Sequence, residues 1–216
     1  MIGLITSSQL ELIHSAITEL PDGGEYRILH VGVGIPHELN NVRLWSSKIH
    51  RIQRKEVPLE ERPGEIDCVL SKRIHVIFSD IDYSAERIAE MKADSRYGSL
   101  RTEEGLGYSN VKTGVQDYMG LDILEMDLDS DSVDIIIAIG IFSKCVIWKD
   151  IPIAFGEISR VLNNQGRLFC TVRSEYLSEF STFIEASELS IVRVSEDVGA
   201  DVGVGRRALI ELTSGI

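Results

Sequence analysis

Apolar side chains recur along this chain with two different periods. Within residues 8–20, apolar positions such as Ile13 and Ile17 recur at steps of three and four, which is typical of an amphipathic helix. Short continuous apolar runs, of which residues 133–139 are the clearest, instead indicate strands that are buried on both faces. The two patterns alternate along the chain, so strands and helices are predicted to alternate as well.

This reasoning predicts the following elements. Helices are predicted over residues 8–20, 38–55, 84–92, 151–162 and 177–189. Strands are predicted over residues 27–32, 73–79, 111–118, 133–139, 167–173, 190–195 and 207–213. Loops rich in glycine, proline or charge are predicted over residues 57–67 and 94–110.

Alternating strands and helices predict an α/β fold, a doubly wound and mostly parallel sheet of seven strands covered on both faces. The last two strands follow each other without a helix, so they are predicted to form an antiparallel pair at one edge of the sheet. We expect a single domain over residues 1–216. It would carry an N-terminal helix over residues 7–20 and an extended segment over residues 37–73, between the first two strands.

Charge and composition exclude several functions. The chain has 22 Lys and Arg against 34 Asp and Glu, a net charge of −12, so no nucleic-acid partner is expected. It has no apolar run long enough to span a membrane. Its three cysteines show no metal-ligand spacing, so no metal site is expected. An odd cysteine count without a secretory signal fits the reducing cytoplasm.

Two glycines, Gly32 and Gly34, directly follow the first predicted strand. Glycine lets backbone approach a ligand closely and tolerates a positive φ in the turn, although a tight turn alone also explains both residues. Ligands of open α/β sheets bind beyond the carboxyl ends of the strands. The third glycine of a dinucleotide fingerprint is replaced by His37, which disfavours a nicotinamide-dependent oxidoreductase.

Acidic residues follow the later strands. Asp80 and Asp82 come at the end of the second strand, where a carboxylate can accept hydrogen bonds from the two hydroxyls of a ribose. Helix capping explains these acids too, and the residue pattern alone leaves the choice between the two open. Asp122 and Ile123 precede the fourth strand, where the acid could accept from an adenine amino group or simply be a solvated loop acid.

These signals fall in order after successive strands, and residues 27–173 resemble the class I S-adenosylmethionine-dependent methyltransferases, particularly the small-molecule type. The resemblance is strongest where Ser132-Val133-Asp134 leads into the fourth strand. A helix ending in the pattern Glu-x-x-Arg-Val-Leu at residues 157–162 follows, and then a turn at Gly166. The resemblance implies a Rossmann-like fold and S-adenosyl-L-methionine as cofactor.

The resemblance also assigns residues to the methionine end of that cofactor. It implies that Gly32 and Gly34 pass close to the methionine part. Ile139 and Gly140, at the end of the fourth strand, would border the site of methyl transfer. His30 stands where the family usually has an aspartate that helps to hold the cofactor ammonium group.

At the nucleoside end, the resemblance favours Asp82 over Asp80 as the acid that binds the ribose, because Asp82 begins an Asp-x-Ser pattern. It implies that Tyr83 packs on the adenine. Asp122 would meet the adenine amino group, with the backbone of Ile123 nearby.

Transfer from a sulfonium needs an aligned acceptor more than a dedicated base, so few catalytic residues are expected. We single out His37 as a general base and Lys144 as an acceptor-side residue, with Phe142, Cys145 and Trp148 as further acceptor-side candidates. Ordinary packing explains these acceptor-side residues equally well. The expected acceptor is a small molecule or a peptide.

A non-catalytic, methyltransferase-like binding module or partner subunit is the alternative. It is motivated by His30, by Pro36 in place of the third loop glycine, and by the long segment between the first two strands. The apolar N-terminal helix could cover either the active site or a second copy of the chain in a homodimer.

Overall fold

The computed structural model describes residues 7–32, 54–56, 68–70, 72–93, 116–144, 148–196 and 206–215. The helices in these ranges are α1 (Ser7–Glu19), α2 (Ala85–Ala93), α3 (Ile141–Lys144), α4 (Ile151–Val161) and α5 (Leu177–Glu185). The strands are β1 (Glu25–Val31), β2 (Arg54–Glu56), β3 (Cys68–Leu70), β4 (Arg73–Asp80), β5 (Gln116–Gly120), β6 (Val133–Ala138), β7 (Leu162–Arg173), β8 (Leu189–Glu196) and β9 (Arg207–Ser214). Short 3₁₀ turns over Trp148–Asp150 and Ser174–Tyr176 precede α4 and α5.

Seven of the described strands form one sheet in the order β5-β4-β1-β6-β7-β9-β8. The first five are parallel to one another, and β9 is antiparallel to both β7 and β8. Six strands therefore run in one direction and the last strand in the other. This topology confirms the predicted doubly wound sheet with an antiparallel last strand.

Buried side chains cover both faces of the sheet. On one face, Phe155 and Ile158 of α4 and Phe180 of α5 pack against the strands. On the other face, Ile13 and Ile17 of α1 are fully buried against the sheet. The apolar face of α1 thus covers the sheet of its own chain. No helix in the described ranges is long and apolar enough to cross a membrane.

Two boundaries differ from the sequence prediction because of local pairing. The sequence predicts a helix to residue 162, a turn at Gly166 and a strand from residue 167, but β7 already begins at Leu162, which pairs with Val133 before the register shifts. Residues 163–166 lie within this register shift, and Gln165 has a φ of 67° there. Helix α5 ends at Glu185, four residues before the predicted end at residue 189. The Ser187 hydroxyl there accepts a hydrogen bond from the Leu189 amide (3.1 Å) and closes a turn instead.

The predicted helix over residues 38–55 is wrong at its carboxyl end. Residues 54 and 55 belong to β2, which pairs with β3 in a separate two-stranded antiparallel ladder. The rest of that helix and both predicted loops lie outside the described residues. The predicted strand over residues 111–118 is observed as β5, Gln116–Gly120, and its first residues also lie outside the described part.

Candidate functional site

The strand order reverses between β1 and β6, which lie side by side at the centre of the sheet. From β1 the chain continues to β4 and β5 on one side, and from β6 it continues to β7 on the other. Open α/β sheets bind their ligands in the crevice at such a switch point, beyond the carboxyl ends of the two strands. We call this side of the sheet the carboxyl edge, formed by Gly32, Asp80–Tyr83, Gly120–Ile123 and Ile139–Gly140.

Gly32 directly follows β1 at the carboxyl edge, in a conformation that only glycine adopts readily. Its φ is +68°, in the left-handed region, and its amide donates to the Ser79 carbonyl of β4 (2.8 Å). A Cβ at this position would collide with Ile141 Cδ1 at the start of α3. Gly32 is therefore required by the turn and by packing against the segment after β6. Gly34 and His37 lie outside the described residues.

The two acids after β4 have different surroundings. Asp80 is 8% exposed, and its Oδ1 accepts a hydrogen bond from the Asp82 amide (3.1 Å). Its carbonyl accepts from the amides of Tyr83 and Leu121, both at 3.2 Å. Asp80 thus shapes the turn, whereas the side chain of Asp82 is exposed at the carboxyl edge.

Residues 83 and 84 lead the chain into α2. Tyr83 is only 6% exposed, and it packs in the core on the α1 face of the sheet. Its carbonyl approaches Gly120 so closely that a Cβ there would collide with it. The Ser84 hydroxyl accepts from the Arg87 amide (3.2 Å) and so caps the amino end of α2. Gly120 therefore lets the end of β5 lie directly against the turn after β4.

Asp122 and Ile123 form the start of the turn after β5. Asp122 is exposed, and its Oδ1 accepts from the Leu124 amide (2.9 Å) while its carbonyl accepts from the Glu125 amide (3.2 Å). The Ile123 side chain points into the core and is 6% exposed. The structure therefore places the Asp122 carboxylate at the carboxyl edge and leaves the Ile123 backbone beside it.

The end of β6 is tied to β7 by a residue that the sequence did not single out. Gly140 has a φ of +80°, and its amide donates to the buried Thr171 hydroxyl of β7 (2.8 Å). The sequence signal that could have indicated this contact is the presence of a threonine within the apolar run of β7. Ile139 is 3% exposed on the α1 face. Lys144 is the last residue of α3, and its side chain lies outside the described part.

His30 lies on β1, two residues before the glycine turn, and is 4% exposed. Burial lowers its pKa from 6.5 to about 4, so the imidazole is neutral at pH 7. Its ring lies 6.0 Å from that of Phe78 on β4, measured between centroids. A neutral imidazole can accept a hydrogen bond from an ammonium group, but it provides no negative charge to pair with one.

The family model described as "methyltransferase domain" matches residues 63–170, which is half of the chain. The match runs from before β3 into β7, so it includes the carboxyl ends of β4, β5 and β6. No curated protein matches the sequence significantly.

Several solved structures share the fold. The Burkholderia thailandensis 1,6-didemethyltoxoflavin-N1-methyltransferase, solved with 1,6-didemethyltoxoflavin and S-adenosylhomocysteine, has a TM-score of 0.59 and 11% identity, covering 97% of this chain and 78% of that one. The CurJ carbon methyltransferase has a TM-score of 0.57 and 15% identity over 95% of this chain. This chain spans only 53% of that protein.

The [4+2]-cyclase SpnF is also similar, with a TM-score of 0.54 and 14% identity over 99% of this chain and 84% of that one. A cyclase and methyltransferases therefore share this architecture, and the likeness to solved structures at such identities establishes the fold alone.

Proposed function

The chain belongs to the methyltransferase-domain family, and we propose that it transfers a methyl group from S-adenosyl-L-methionine to a small-molecule or peptide acceptor. The observation that carries this proposal is the meeting of an exposed Asp82, an exposed Asp122 and two left-handed glycines at one carboxyl edge. The matched family region contains three of these four residues. Nothing in the comparisons favours the non-catalytic alternative.

The nucleoside end of this edge fits an adenosyl group. In our proposal Asp82 accepts hydrogen bonds from the ribose hydroxyls, since its carboxylate is exposed while that of Asp80 already bonds the backbone. Asp122 accepts from the adenine amino group beside the backbone of Ile123. Tyr83 borders the adenine; because its side chain is 6% exposed, it offers the base only a small part of its ring.

In our proposal Gly32 and Gly140 border the methionine end, because their missing side chains let the backbone approach the ligand closely. We propose that Gly34 continues this border and that Ile139 closes it from the end of β6. His30 holds the ammonium group only as a neutral acceptor, because burial lowers the pKa of its imidazole to about 4.

When bound, S-adenosylmethionine supplies an electrophilic methyl group on a sulfonium. The task of the protein is then to align an acceptor atom with that methyl group and to exclude water. Phe142 is 1% exposed between Phe155 and Phe180, with ring centroids 5.4 Å from each, so it supports the site from within the core. The half-buried Trp148, together with Lys144 and Cys145, remains our candidate for contact with the acceptor. His37 acts as general base where the acceptor must lose a proton.

Assembly and location are part of the same proposal. A net charge of −12 argues against a nucleic-acid partner, and we propose a cytoplasmic protein. The apolar face of α1 is used within the chain, so a homodimer would have to form through another surface.

Isothermal titration calorimetry with S-adenosylhomocysteine tests the cofactor. We expect binding to the wild-type protein, and binding weaker by more than about tenfold in Asp82→Ala, because two charge-assisted hydrogen bonds are lost. Asp129→Ala removes another exposed acid and should change the affinity less than about twofold. Absence of wild-type binding at millimolar ligand would reject the cofactor, and an unchanged affinity of Asp82→Ala would remove Asp82 from the ribose site.

The acceptor is tested with methyl-labelled S-adenosylmethionine and separate pools of small metabolites and peptides. Label in either pool identifies the acceptor class. Tight cofactor binding without transfer to any pool would instead favour the partner-subunit alternative.

A further inference from the structure

A half-buried ion pair on α4 holds the loop that carries Asp122. Glu157 and Arg160 lie one helical turn apart, and their side chains are 23% and 35% exposed. Arg160 Nε donates to Glu157 Oε1 (3.0 Å) and Nη2 donates to Oε2 (2.8 Å), which makes the pair bidentate. The hydrogen bond from Arg160 holds the pKa of the Glu157 carboxyl below its usual range, so the pair stays ionised at neutral pH.

Both side chains also bind the backbone of residues 126–128. Arg160 donates to the carbonyls of Met126 and Leu128, each at 2.7 Å. Glu157 Oε2 accepts from the Met126 amide (2.9 Å). The amide and the carbonyl of Met126 are therefore both held by one ion pair, which we call the Glu157–Arg160 clamp.

The other end of the same loop is fixed at the carboxyl edge. The Leu121 amide donates to the Asp80 carbonyl, and the Asp122 carboxylate accepts a hydrogen bond from the Leu124 amide. Only three residues separate Asp122 from Met126, so the position of the Asp122 carboxylate depends on both anchors. Ile123 and Met126 add buried side chains, at 6% and 3% exposure, but these alone do not fix the backbone amides and carbonyls.

We infer that Glu157 and Arg160 are positioning residues for the cofactor: the clamp holds the loop 121–128 so that Asp122 meets the adenine. This inference rests on the proposed function. The clamp touches neither the cofactor nor the acceptor, and it acts through backbone atoms four to six residues from Asp122. Charge-assisted hydrogen bonds from a planar guanidinium to two carbonyls suit this task, because they restrain orientation as well as distance.

The test compares Arg160→Ala with Arg167→Ala. Arg167 is the matched control, since it is 36% exposed and pairs with Glu19 (3.0 Å) and Glu211 (3.4 Å) away from the loop 121–128. We expect Arg160→Ala to weaken S-adenosylhomocysteine binding about fivefold or more and Arg167→Ala less than about twofold. Arg160→Lys replaces the planar guanidinium with a single ammonium group. Its affinity for S-adenosylhomocysteine should therefore lie between those of Arg160→Ala and the wild-type protein.

A double-mutant comparison distinguishes a positioning role of Arg160 from a general effect on protein stability. Asp122→Ala and Arg160→Ala should weaken binding together by clearly less than the product of their separate effects, because both act on one adenine contact. If Arg160→Ala lowers the melting temperature but leaves the affinity unchanged, or if the two effects multiply, the inference is overturned.

Hydrogen exchange distinguishes failure of this inference from failure of the proposed function. In the ligand-free protein, Arg160→Ala should accelerate amide exchange in residues 122–128 at least about tenfold, and Arg167→Ala should not. If the wild-type protein does not bind S-adenosylhomocysteine, the proposed function fails and the cofactor role of the clamp fails with it, whatever the exchange shows. If the wild-type protein binds but exchange in this loop is unchanged in Arg160→Ala, the clamp alone is refuted.

Discussion

Gly32 and Gly156 show how the cost of the same methyl group depends on backbone geometry. Gly32 has a φ of +68° and no room for a Cβ beside Ile141. Gly156 lies exposed within α4, where a Cβ would have nothing within 4 Å. We expect Gly32→Ala to lower the free energy of unfolding by about 2 kcal/mol or more. Gly156→Ala should raise it by about 1 kcal/mol. Urea denaturation measures both, and equal effects of the two substitutions would contradict the conformation given for Gly32.

The buried His30 predicts a pH dependence of stability. Its folded-state pKa is lowered to about 4, below the ordinary 6.5, so the unfolded chain takes up a proton between these values and the folded chain does not. The free energy of unfolding should therefore fall as the pH falls from about 6.5, by roughly 3 kcal/mol at pH 4 relative to His30→Leu. Burial also lowers the pKa of His75, so only the difference between wild type and His30→Leu isolates this histidine. A difference that is constant between pH 7 and pH 4 would show that His30 is not buried as a neutral group.

Residue identity alone could not decide which of the two acids after β4 would bind the ribose. Asp80 and Asp82 are chemically the same, and the sequence favoured Asp82 only through a resemblance. The turn that gives the Asp80 carboxylate a backbone partner depends on hydrogen bonds to Asp82, Tyr83 and Leu121. Such contacts form only when β4 and β5 are brought together, which a residue pattern does not describe.

At the scale of elements, α1 is fastened to the sheet by Lys72, which is 4% exposed. Its ammonium donates to the carbonyls of Thr18 (2.8 Å) and Leu20 at the carboxyl end of the helix and pairs with Asp22 at 3.7 Å. Lys72→Met should cost about 2 kcal/mol, because it leaves those carbonyls without their donor.

The neighbouring Arg73 gives the matched control for Lys72. Arg73 forms an exposed pair with Glu25 at 2.7 Å, so Arg73→Met should cost about 0.5 kcal/mol or less. Thermal unfolding measures both variants, and hydrogen exchange in α1 should accelerate only in Lys72→Met. Similar losses in the two variants would exclude a specific role of Lys72 at the helix end.

The bounds of a helix or strand were predictable from the sequence where burial requires apolar side chains along its length. The apolar run of β6 and the amphipathic pattern of α4 lie within one residue of their predicted bounds. The start of β7 and the end of α5 were not predictable, because they depend on the pairing of Leu162 with Val133 and on the Ser187 turn. The short ladder of β2 and β3 carries too few residues to show a period.

For the whole molecule, alternating strands and helices were enough to predict a sheet covered on both faces. The direction of the last strand also followed, because the sequence predicts no helix between the last two strands, and β8 and β9 are indeed antiparallel. The switch point between β1 and β6 is a property of strand order. It brings together residues that are as much as 108 positions apart, from Gly32 to Gly140. The separate sequence motifs do not by themselves show that these residues lie close together.

The most direct test of the central claim is a crystal structure grown with excess S-adenosylhomocysteine. We predict electron density for the ligand in the crevice beyond β1 and β6, with its ribose hydroxyls within hydrogen-bond distance of Asp82 and its adenine amino group beside Asp122. Ligand bound elsewhere, or a crevice filled by side chains of the protein at saturating ligand, would contradict the account.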